Sequence, residues 1–454
     1  MSQTKSLFSE FYPVSSKEWK QQIQMELKGA DYTNTLVWQS LEGVAVKPFY
    51  HTENNEYLDI PILKKDYQIC QTIFVDDPAV ANKIALDMLS KGVDAIQFIS
   101  HKSFDIDVLL QGFKILKSKS NFYFKLQFLS TKFLSDILDY SDAEPLIIQQ
   151  DIIGHLAQTG NWFVDERDDF KTLNNLVKKH PNKSILEVDA SIYQNAGATI
   201  VQQIAYALSH ANEYLNVFGD TIKSEIQFEF AIAGNYFFEI AKLRAFRYLW
   251  RQLTAEYAKE IPVKIIAKPS SRNKTLYDYN VNMLRTSTEY MSAVLGGADL
   301  ITTHAYDYLF KKSNSFSNRI ARNQLLVLRE ENSFKDAPSF VKGSYYIETL
   351  TTELAKKSLN LFKELEKSGG FLANLKTGLI QRKIREVAQK EQDLFDAGKI
   401  SLLGTNRYPN PDDKMKSDLE LYPFLKTNKK QTTIQPIILK RLTEKTEKER
   451  LSKE

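Results

Sequence analysis

The sequence contains few of the residues that disulfides, zinc sites and membrane spans require. Its 454 residues include one cysteine, Cys70, so neither an intramolecular disulfide framework nor a cysteine-rich zinc site can form. None of the six histidines lies within four positions of another, which excludes the two-histidine helix of a zinc enzyme. No apolar run approaches the roughly 18 residues that a membrane-spanning helix needs. We therefore expect a chain with no metal site and no membrane segment.

An excess of one charge and a targeting sequence are lacking as well. The chain has 60 Lys and Arg against 56 Asp and Glu, a net charge of +4, and the basic residues are spread along it. This balance gives no electrostatic argument for a nucleic-acid partner. The N-terminal segment has no apolar core typical of a signal peptide. Together with the single cysteine, these features favour a cytoplasmic protein.

Apolar and aromatic residues are abundant, and their pattern alternates between strand and helix. The hydrophobic fraction is 43%, with 27 Phe and 22 Tyr, which is enough for a large core. Helical patterns separate most of the predicted strands, which favours a parallel sheet. The number of units, over about 300 residues, favours a closed (β/α)₈ TIM barrel over an open sheet. The predicted strands are 95–100, 122–129, 145–150, 185–190, 225–233, 263–268 and 299–305.

Helical segments are predicted on both sides of the barrel. A serine cap and apolar residues at four-residue spacing predict an amphipathic N-terminal helix, with Trp19, Ile23 and Leu27 on one face and Gly29 at its end. Its apolar stripe packs either on its own barrel or on a partner, and the sequence leaves both open. In a later helix the predicted buried face is Phe237, Ile240, Ala241, Ala245, Tyr248 and Leu249.

The predicted organisation has four parts. An N-terminal arm covers 1–45, the barrel domain 46–360, a helical linker 361–410 and a charged tail 411–454. The end of the tail mixes both signs of charge with little apolar content. We interpret it as either a solvated, frayed helix or a segment that only a partner orders.

A few side chains at predicted strand ends are candidates for chemistry. His304 follows a strand and is close to Asp307 in sequence, a spacing compatible with an acid–base pair or with a hydrogen-bonded loop. Lys268 ends another strand and could form a Schiff base, or could bind a phosphate or carboxylate together with Arg272. The alternative is a loop held by Pro269 and its neighbouring serines. The sequence has neither a phosphate-binding glycine loop nor a Gly-x-Ser-x-Gly elbow.

A polar cluster also lies at the start of a predicted helix in 313–331. Arg319, Arg322 and Asn323 would be costly if buried without partners, so we expect them to meet fixed partners. They either cap neighbouring barrel loops or contact a ligand.

Several separated segments resemble the methylmalonyl-CoA mutase family. They include "FSNRIARNQLLVLREE", "NYFFEIAKLRAFRYLW", "MLRTSTEYMSAVLGG", "NAGAT" and "LLGTNRYPNP", and "ELKGADYTNTLVWQSLEGVAVKPFY" resembles the opening of the small-subunit branch. The resemblance covers roughly residues 8–410, with its motifs in family order. It implies a barrel and an adenosylcobalamin-dependent interconversion of methylmalonyl-CoA and succinyl-CoA. Family catalytic chains also carry a cobalamin domain whose Asp-x-His-x-x-Gly motif supplies the cobalt ligand.

The chain departs from the family pattern at its catalytic positions. The resemblance puts Ser191 and Ile192 where the family has Tyr-His, and Thr159 where it has a substrate-carboxylate arginine. It likewise puts Thr72 at the radical-steering tyrosine and Thr302 at a histidine. Isoleucine cannot hydrogen-bond a thioester carbonyl, and threonine lacks the paired donors of arginine. We therefore interpret these five positions as vestiges of an active site.

The resemblance and the departures together predict a non-catalytic small subunit. Its partner would be a large catalytic mutase subunit, in a heterodimer. Adenosylcobalamin in the complex would be bound mainly by that subunit, since this sequence has no Asp-x-His-x-x-Gly motif and we expect no cobalamin domain of its own. Whether the barrel also binds a CoA thioester stays open. The alternative is an independent barrel that binds acyl-CoA or catalyses diverged chemistry with Lys268, Arg272 or His304.

Overall fold

The computed structural model describes residues 9–54, 57–61, 66–113, 120–140, 145–335, 340–425 and 431–454. The first eight residues of the predicted arm and residues 426–430 of the predicted tail lie outside the described residues. Within the described ranges, no helix is both long enough and apolar enough to cross a bilayer.

The N-terminal arm begins with the predicted helix, α1, at Ser16–Glu26. A capping box starts it: the Ser15 N–H donates to the Glu18 carboxylate at 2.8 Å, and the Glu18 N–H donates to Ser15 Oγ at 3.2 Å. No residue of α1 is buried, although Trp19 stacks on Phe49 with ring centroids 4.4 Å apart. The arm continues through α2 (Tyr32–Leu36) and an antiparallel hairpin of β1 (Trp38–Gln39) and β2 (Ala45–Val46).

Eight parallel strands form a closed barrel. Around the barrel they run β6-β5-β4-β3-β10-β9-β8-β7, and a parallel bridge between Gln150 and Leu186 joins the two end strands. This arrangement confirms the predicted (β/α)₈ barrel. The strands are β3 (Gln68–Phe74), β4 (Ala95–Ser100), β5 (Asn121–Leu126), β6 (Leu146–Ile148), β7 (Glu187–Asp189), β8 (Ile226–Ile232), β9 (Val263–Pro269) and β10 (Leu300–Thr302).

The predicted strands coincide with β4 to β10, and β3 is the one that the pattern did not give. Its sequence, "QICQTIF", begins with Gln68 and is interrupted by Gln71, so it has neither a continuous apolar run nor a clean alternation. In the structure Gln71 is buried in the layer between barrel and helices. Its burial depends on a partner from a distant helix, which local sequence does not reveal.

Helices surround the barrel and extend beyond it, largely as the periodicity predicts. A one-turn 3₁₀ helix spans Thr52–Asn54, and a π-helical turn spans Val327–Glu331. The remaining α-helices are α3 (Pro78–Leu89), α4 (Ile106–Leu110), α5 (Thr131–Asp139), α6 (Ile152–Thr159), α7 (Glu166–Lys179), α8 (Ser191–Asn195), α9 (Ile200–Phe218), α10 (Tyr236–Glu256), α11 (Val281–Gly296), α12 (Ser315–Leu326), α13 (Tyr345–Lys367), α14 (Gly370–Lys376), α15 (Leu379–Asp396) and α16 (Glu444–Leu451).

The predicted inward face of α10 is correct except at its first turn. Phe237 is 44% exposed, so its predicted burial is wrong. It lies at the start of α10 and contacts the rings of Tyr236 and Tyr346 at the protein surface. The fully or nearly fully buried members are Ile240, Ala241, Ala245 and Leu249.

The charged tail packs on the barrel, which corrects both of its predicted alternatives. Ile434, Ile437 and Leu442 are buried, and so are the polar side chains of Arg441 and Glu447. The Arg441 guanidinium donates to the Glu447 carboxylate at 2.6 Å and to the Lys274 carbonyl at 3.1 Å. Sparse apolar residues and a buried ion pair therefore anchor a segment whose mean composition is typical of solvated chain.

Candidate functional site

The candidate site is the carboxyl-terminal end of the barrel, where strand ends place side chains in one shared space. Catalytic residues in this fold project from these ends and from the loops that follow them. Because side chains alternate along a strand, Thr72, Lys125 and Lys268 all point into the lumen on their respective strands.

A lysine surrounded by carboxylates lies in the upper lumen. Lys125 Nζ is 2.9 Å from Asp189, 3.3 Å from Glu187 and 3.3 Å from Glu229. Burial alone would lower the pKa of Lys125, but these three carboxylates hold it well above its ordinary value. Burial raises the pKa of Glu187 well above its ordinary value despite the nearby ammonium. The cluster is a closed structural ion pair rather than a free acid and base.

A hydrogen-bonded chain extends this cluster across the lumen. Thr72 Oγ1 donates to Gln97 at 2.9 Å, Gln97 donates to Gln149 at 2.8 Å, and Gln149 donates to Glu187 at 2.8 Å. Thr72, which the resemblance predicts to stand at the family's tyrosine position, therefore donates its hydroxyl proton within the barrel's own network. The chain links strands β3, β4, β6 and β7 and fixes their side chains in the lumen.

Below this polar level, apolar side chains fill the barrel axis. Tyr123 is fully buried in the lumen and belongs to a small inner core. The other members of that core are Cys70, Ala95, Ile147, Ile266 and Leu300. The lumen is thus packed with side chains at both levels, as in barrels whose interior serves as a core.

Among the other predicted vestigial positions, Thr159, Ser191 and Ile192 make local contacts. Thr159 ends α6, where its hydroxyl donates to the carbonyls of His155 at 2.8 Å and Asn161 at 2.9 Å. Ser191 Oγ donates to Asp189 at 2.5 Å, and Ile192 is 2% exposed within the main hydrophobic core. Thr302 is fully buried at the end of β10. Ile192 therefore serves packing.

The tail crosses the barrel mouth on the side of β6 and β7. Thr433 and Ile434 donate their N–H groups to the Gly160 carbonyl at 2.9 and 3.0 Å, and the Ile437 N–H donates to Ala157 at 2.7 Å. Farther along, the Lys440 N–H donates to the Asn195 carbonyl at 3.1 Å. Residues 431–442 thus lie over the loops that in a barrel enzyme surround the substrate.

Arg272 is part of this tail contact, although the sequence predicted that it could bind a phosphate or carboxylate together with Lys268. Its Nε donates to Glu391 at 2.7 Å, and its Nη1 donates to the Lys440 carbonyl at 2.7 Å. The side chain is buried and joins α15 and the tail to the end of β9. The predicted joint phosphate or carboxylate site of Lys268 and Arg272 is therefore wrong, because the guanidinium is already engaged.

His304 and Asp307 do not form the predicted acid–base pair. Asp307 accepts from Ser317 Oγ at 2.5 Å and from Asn314 at 3.1 Å. The His304 ring instead meets the edge of Tyr308, with centroids 3.8 Å apart. Burial, together with the charge of Lys268, lowers the pKa of His304 well below its ordinary value, so the imidazole is neutral.

The members of the polar cluster on α12 lie in different environments. Arg322 is 6% exposed, and its Nη1 is 3.5 Å from Gln71 Oε1 on β3. Arg319 is exposed, and together with Asn323 it lines a surface groove between α3 and α12. Arg322 thus contacts a barrel strand rather than a loop, while its Nε has no hydrogen-bond partner among the described residues. The choice between loop capping and ligand contact stays a prediction.

Sequence reasoning missed Lys125, Glu187 and Glu229. The available signal was a charged residue at the centre of an otherwise apolar strand, which is costly unless the charge is paired. It also missed a buried cluster under the mouth: Asp151 accepts from Tyr214 at 2.7 Å, and His210 lies 3.0 Å from Asp151. These residues come from separate elements, so no local motif brings them together.

A family model and curated relatives of this chain point to the same protein family. The methylmalonyl-CoA mutase family model matches residues 145–453. A methylmalonyl-CoA mutase small subunit from Porphyromonas gingivalis is 35% identical over 440 residues, covering 89% of this chain and 71% of that protein.

Two other relatives are more distant. A methylmalonyl-CoA mutase from Cereibacter sphaeroides is 26% identical, covering 86% of this chain and 64% of its own length. A methylmalonyl-CoA mutase large subunit from Streptomyces virginiae is 24% identical, covering 87% and 62% respectively. The chain thus spans less than two thirds of these two relatives. On the family model and the Porphyromonas relative together, the chain belongs to the methylmalonyl-CoA mutase family.

Proposed function

We propose that this chain is the non-catalytic small subunit of a heterodimeric methylmalonyl-CoA mutase. Its role is to bind and stabilise a large catalytic subunit, which interconverts methylmalonyl-CoA and succinyl-CoA. The observation that carries the proposal is that the chain's own side chains and tail occupy the lumen and mouth of its barrel. A catalytic barrel of this family needs that space for its CoA substrate.

The state of the lumen argues against a threaded substrate. A pantetheine arm along the axis would have to displace Tyr123 and break the contacts of Lys125 with three carboxylates. Removing the lysine from that cluster would leave buried charge without compensation, which is strongly unfavourable. We infer that the barrel acts as a packed scaffold in the complex.

The covered mouth also argues against binding of the cofactor by this chain. Adenosylcobalamin acting at this mouth would need an open face, but residues 431–442 are hydrogen-bonded across the loops after β6, β7 and β9. The described residues therefore do not fit the corrin group at this position. We assign the cofactor to the large subunit, and no step of the reaction is placed on this chain.

The exposed arm supplies a surface for the partner. Phe11, Tyr12 and Val14 precede α1 and are 74%, 93% and 56% exposed. Because α1 itself buries no residue, the first part of the arm covers little of its own barrel. Exposed aromatic residues in one segment are typical of a protein–protein contact. We therefore place the large-subunit contact at least partly on this arm.

Mixing experiments test the proposal. The purified chain, a large mutase subunit and their mixture are assayed with methylmalonyl-CoA and adenosylcobalamin, and association is measured by size-exclusion chromatography with light scattering. We expect a complex and activity in the mixture, with no turnover by this chain alone. Turnover or acyl-CoA binding by the isolated chain would instead favour the independent barrel protein.

A further inference from the structure

A cleft remains at the barrel mouth, and residues 431–442 of the tail do not line it. It has a volume of about 300 Å³ and lies at the carboxyl ends of β3, β9 and β10. Thr72 and Lys268 contribute from the lumen, while His304 and Lys312 contribute from the loop after β10. A cleft of this size is at the lower end of the range for small-molecule sites.

Positive charge dominates the lining of this cleft, which has three lysines, Lys268, Lys311 and Lys312, and one carboxylate, Asp307. Asp307 is held by Ser317 and Asn314. Glu420 accepts from the Lys311 ammonium at 3.2 Å and from the Lys312 N–H at 3.0 Å. Glu229 approaches Lys125 more closely, at 3.3 Å, than Lys268, at 3.9 Å.

Lys268 therefore has one charged partner, Glu229 at 3.9 Å, and that carboxylate lies closer to Lys125. Its side chain is 31% exposed, and among the described residues its ammonium makes no hydrogen bond. An ammonium provides three donors, so Lys268 can accept an incoming anion without giving up an existing hydrogen bond. Its positive charge also reaches His304, whose pKa it helps to lower.

Unused polar atoms surround the cleft. Gln71 is 2% exposed and lines the cleft, and its Nε2 has no hydrogen-bond partner among the described residues. His304 Nε2 is likewise buried, with no hydrogen-bond partner in the part of the chain that the structure describes. Buried polar groups in folded proteins are normally satisfied, so these two atoms indicate a group that completes the site.

We propose that this cleft binds the oxyanion of a small molecule, a carboxylate or a phosphate, with Lys268 as its principal charged contact. Lys312 adds charge at the rim, and the Gln71 amide and the neutral His304 ring lie on the cleft wall as further hydrogen-bonding groups. The cleft includes Thr72, one of the predicted vestigial positions, but not Thr159. Its proposed binding groups, Lys268, Lys312, Gln71 and His304, lie outside those positions. Oxyanion binding would therefore be a function of this chain's own residues, and it does not depend on pairing with a large subunit.

Isothermal titration calorimetry and thermal shift at constant ionic strength test the proposal. The probes are inorganic phosphate and succinate, and chloride is the reference ion. We expect the full chain to bind phosphate, succinate or both, and to melt at a higher temperature with the ion that binds. Phosphate alone would indicate a phosphate ester as ligand, and succinate alone a carboxylate. Failure of both ions to bind would overturn the proposal.

Variants locate the binding. Lys268→Met should weaken it about tenfold or more, as expected for loss of a charge-assisted contact. The matched control is Lys264→Met, because Lys264 also faces the lumen from β9 but contacts Gln68 at 3.3 Å at the other end of the strand. Equal weakening in both variants, or none in Lys268→Met, would contradict the site. Lys312→Gln is a second test variant, at an exposed residue on the rim of the cleft. It should weaken anion binding several-fold, and an unchanged affinity would contradict the proposed contribution of Lys312.

Discussion

At the residue scale, the catalytic end of the barrel is occupied by side chains that satisfy one another. A chain of hydrogen bonds runs from Thr72 through Gln97 and Gln149 to Glu187. Lys125 forms ion pairs with Glu187 and with two further carboxylates. Polar groups at a strand end thus serve stability here, although the same positions carry chemistry in other barrels. The difference lies in whether a donor or acceptor remains free for substrate.

Lys125→Met tests the structural role of the lumen charge. The variant leaves two buried carboxylates, Glu187 and Glu229, and the partly buried Asp189 without their ammonium. We therefore expect the free energy of unfolding to fall by about 3–5 kcal/mol. Urea denaturation followed by circular dichroism measures the change. The matched control is Lys91→Met, which removes an exposed ion pair with Asp87 and should cost less than about 1 kcal/mol. Similar losses in both variants would show that the lumen cluster contributes no more than a surface pair.

Glu42 predicts a pH dependence of stability. Its carboxylate accepts from the Val201 N–H at 3.0 Å, and burial raises its pKa from 4.5 to about 7. The folded chain therefore holds this proton more tightly than the unfolded chain. Stability from this group is greatest below pH 4.5 and is lost as the pH rises toward 7.

Glu42→Gln should remove that contribution. Relative to wild type, the variant gains stability at about pH 8 and loses this advantage at about pH 5. Thermal melts across that range measure the difference, with Glu26→Gln on the exposed face of α1 as control. A constant difference between Glu42→Gln and wild type at all pH values would contradict the raised pKa.

At the element scale, the tail covers one side of the barrel mouth and lies against the loop after β6. Gly160 ends α6 with φ +80°, and a Cβ there would lie 2.6 Å from the Ile434 carbonyl oxygen and 2.8 Å from Thr432 Cβ. The loop after β6 and the tail therefore approach each other so closely that only glycine fits between them.

Gly160→Ala should detach the tail. We expect faster proteolytic cleavage within 431–454 and a lower melting temperature, measured by limited proteolysis with mass spectrometry and by thermal melts. Gly378→Ala is the matched control, since Gly378 has φ +77° and no atom lies within 4 Å of the position that a Cβ would take there. Both variants carry the backbone strain of roughly 1–2 kcal/mol for a left-handed alanine. Only Gly160→Ala should expose the tail, and equal cleavage in both would contradict the contact.

Some elements of this fold could be predicted from the sequence and others could not. Apolar strands and amphipathic helices are local patterns, so β4 to β10 and the long helices α9, α10 and α13 could be predicted from them. The tail could not, because Arg441 and Glu447 become stable only through Lys274 and Leu276 on the barrel. The lumen cluster joins strands β5, β7 and β8 for the same reason, since tertiary pairing of charge leaves no local periodicity.

At the scale of the whole molecule, the chain combines a filled barrel with an uncovered arm. The barrel closes its own mouth with the tail, whereas the arm leaves Phe11 and Tyr12 exposed. Under the proposed function, the barrel contributes stability and the first part of the arm contributes the partner contact.

Phe11→Asp tests the arm. The substitution introduces a charge into an apolar contact, so we expect binding to a large subunit to weaken about tenfold or more. Val164→Asp is the matched control, because Val164 is 70% exposed on the barrel and Phe11 is 74% exposed. Surface plasmon resonance against the immobilised large subunit measures both. Equal affinities would place the interface elsewhere, while equal melting temperatures are expected for the two variants.

The most direct test of the central claim is the mutase activity of the separated and recombined subunits. With methylmalonyl-CoA and adenosylcobalamin supplied, the purified chain alone should form no succinyl-CoA, while a large subunit should be more stable and retain more activity once this chain is bound. Formation of succinyl-CoA by this chain alone would contradict the account, and so would a large subunit whose activity and stability do not change when this chain is added.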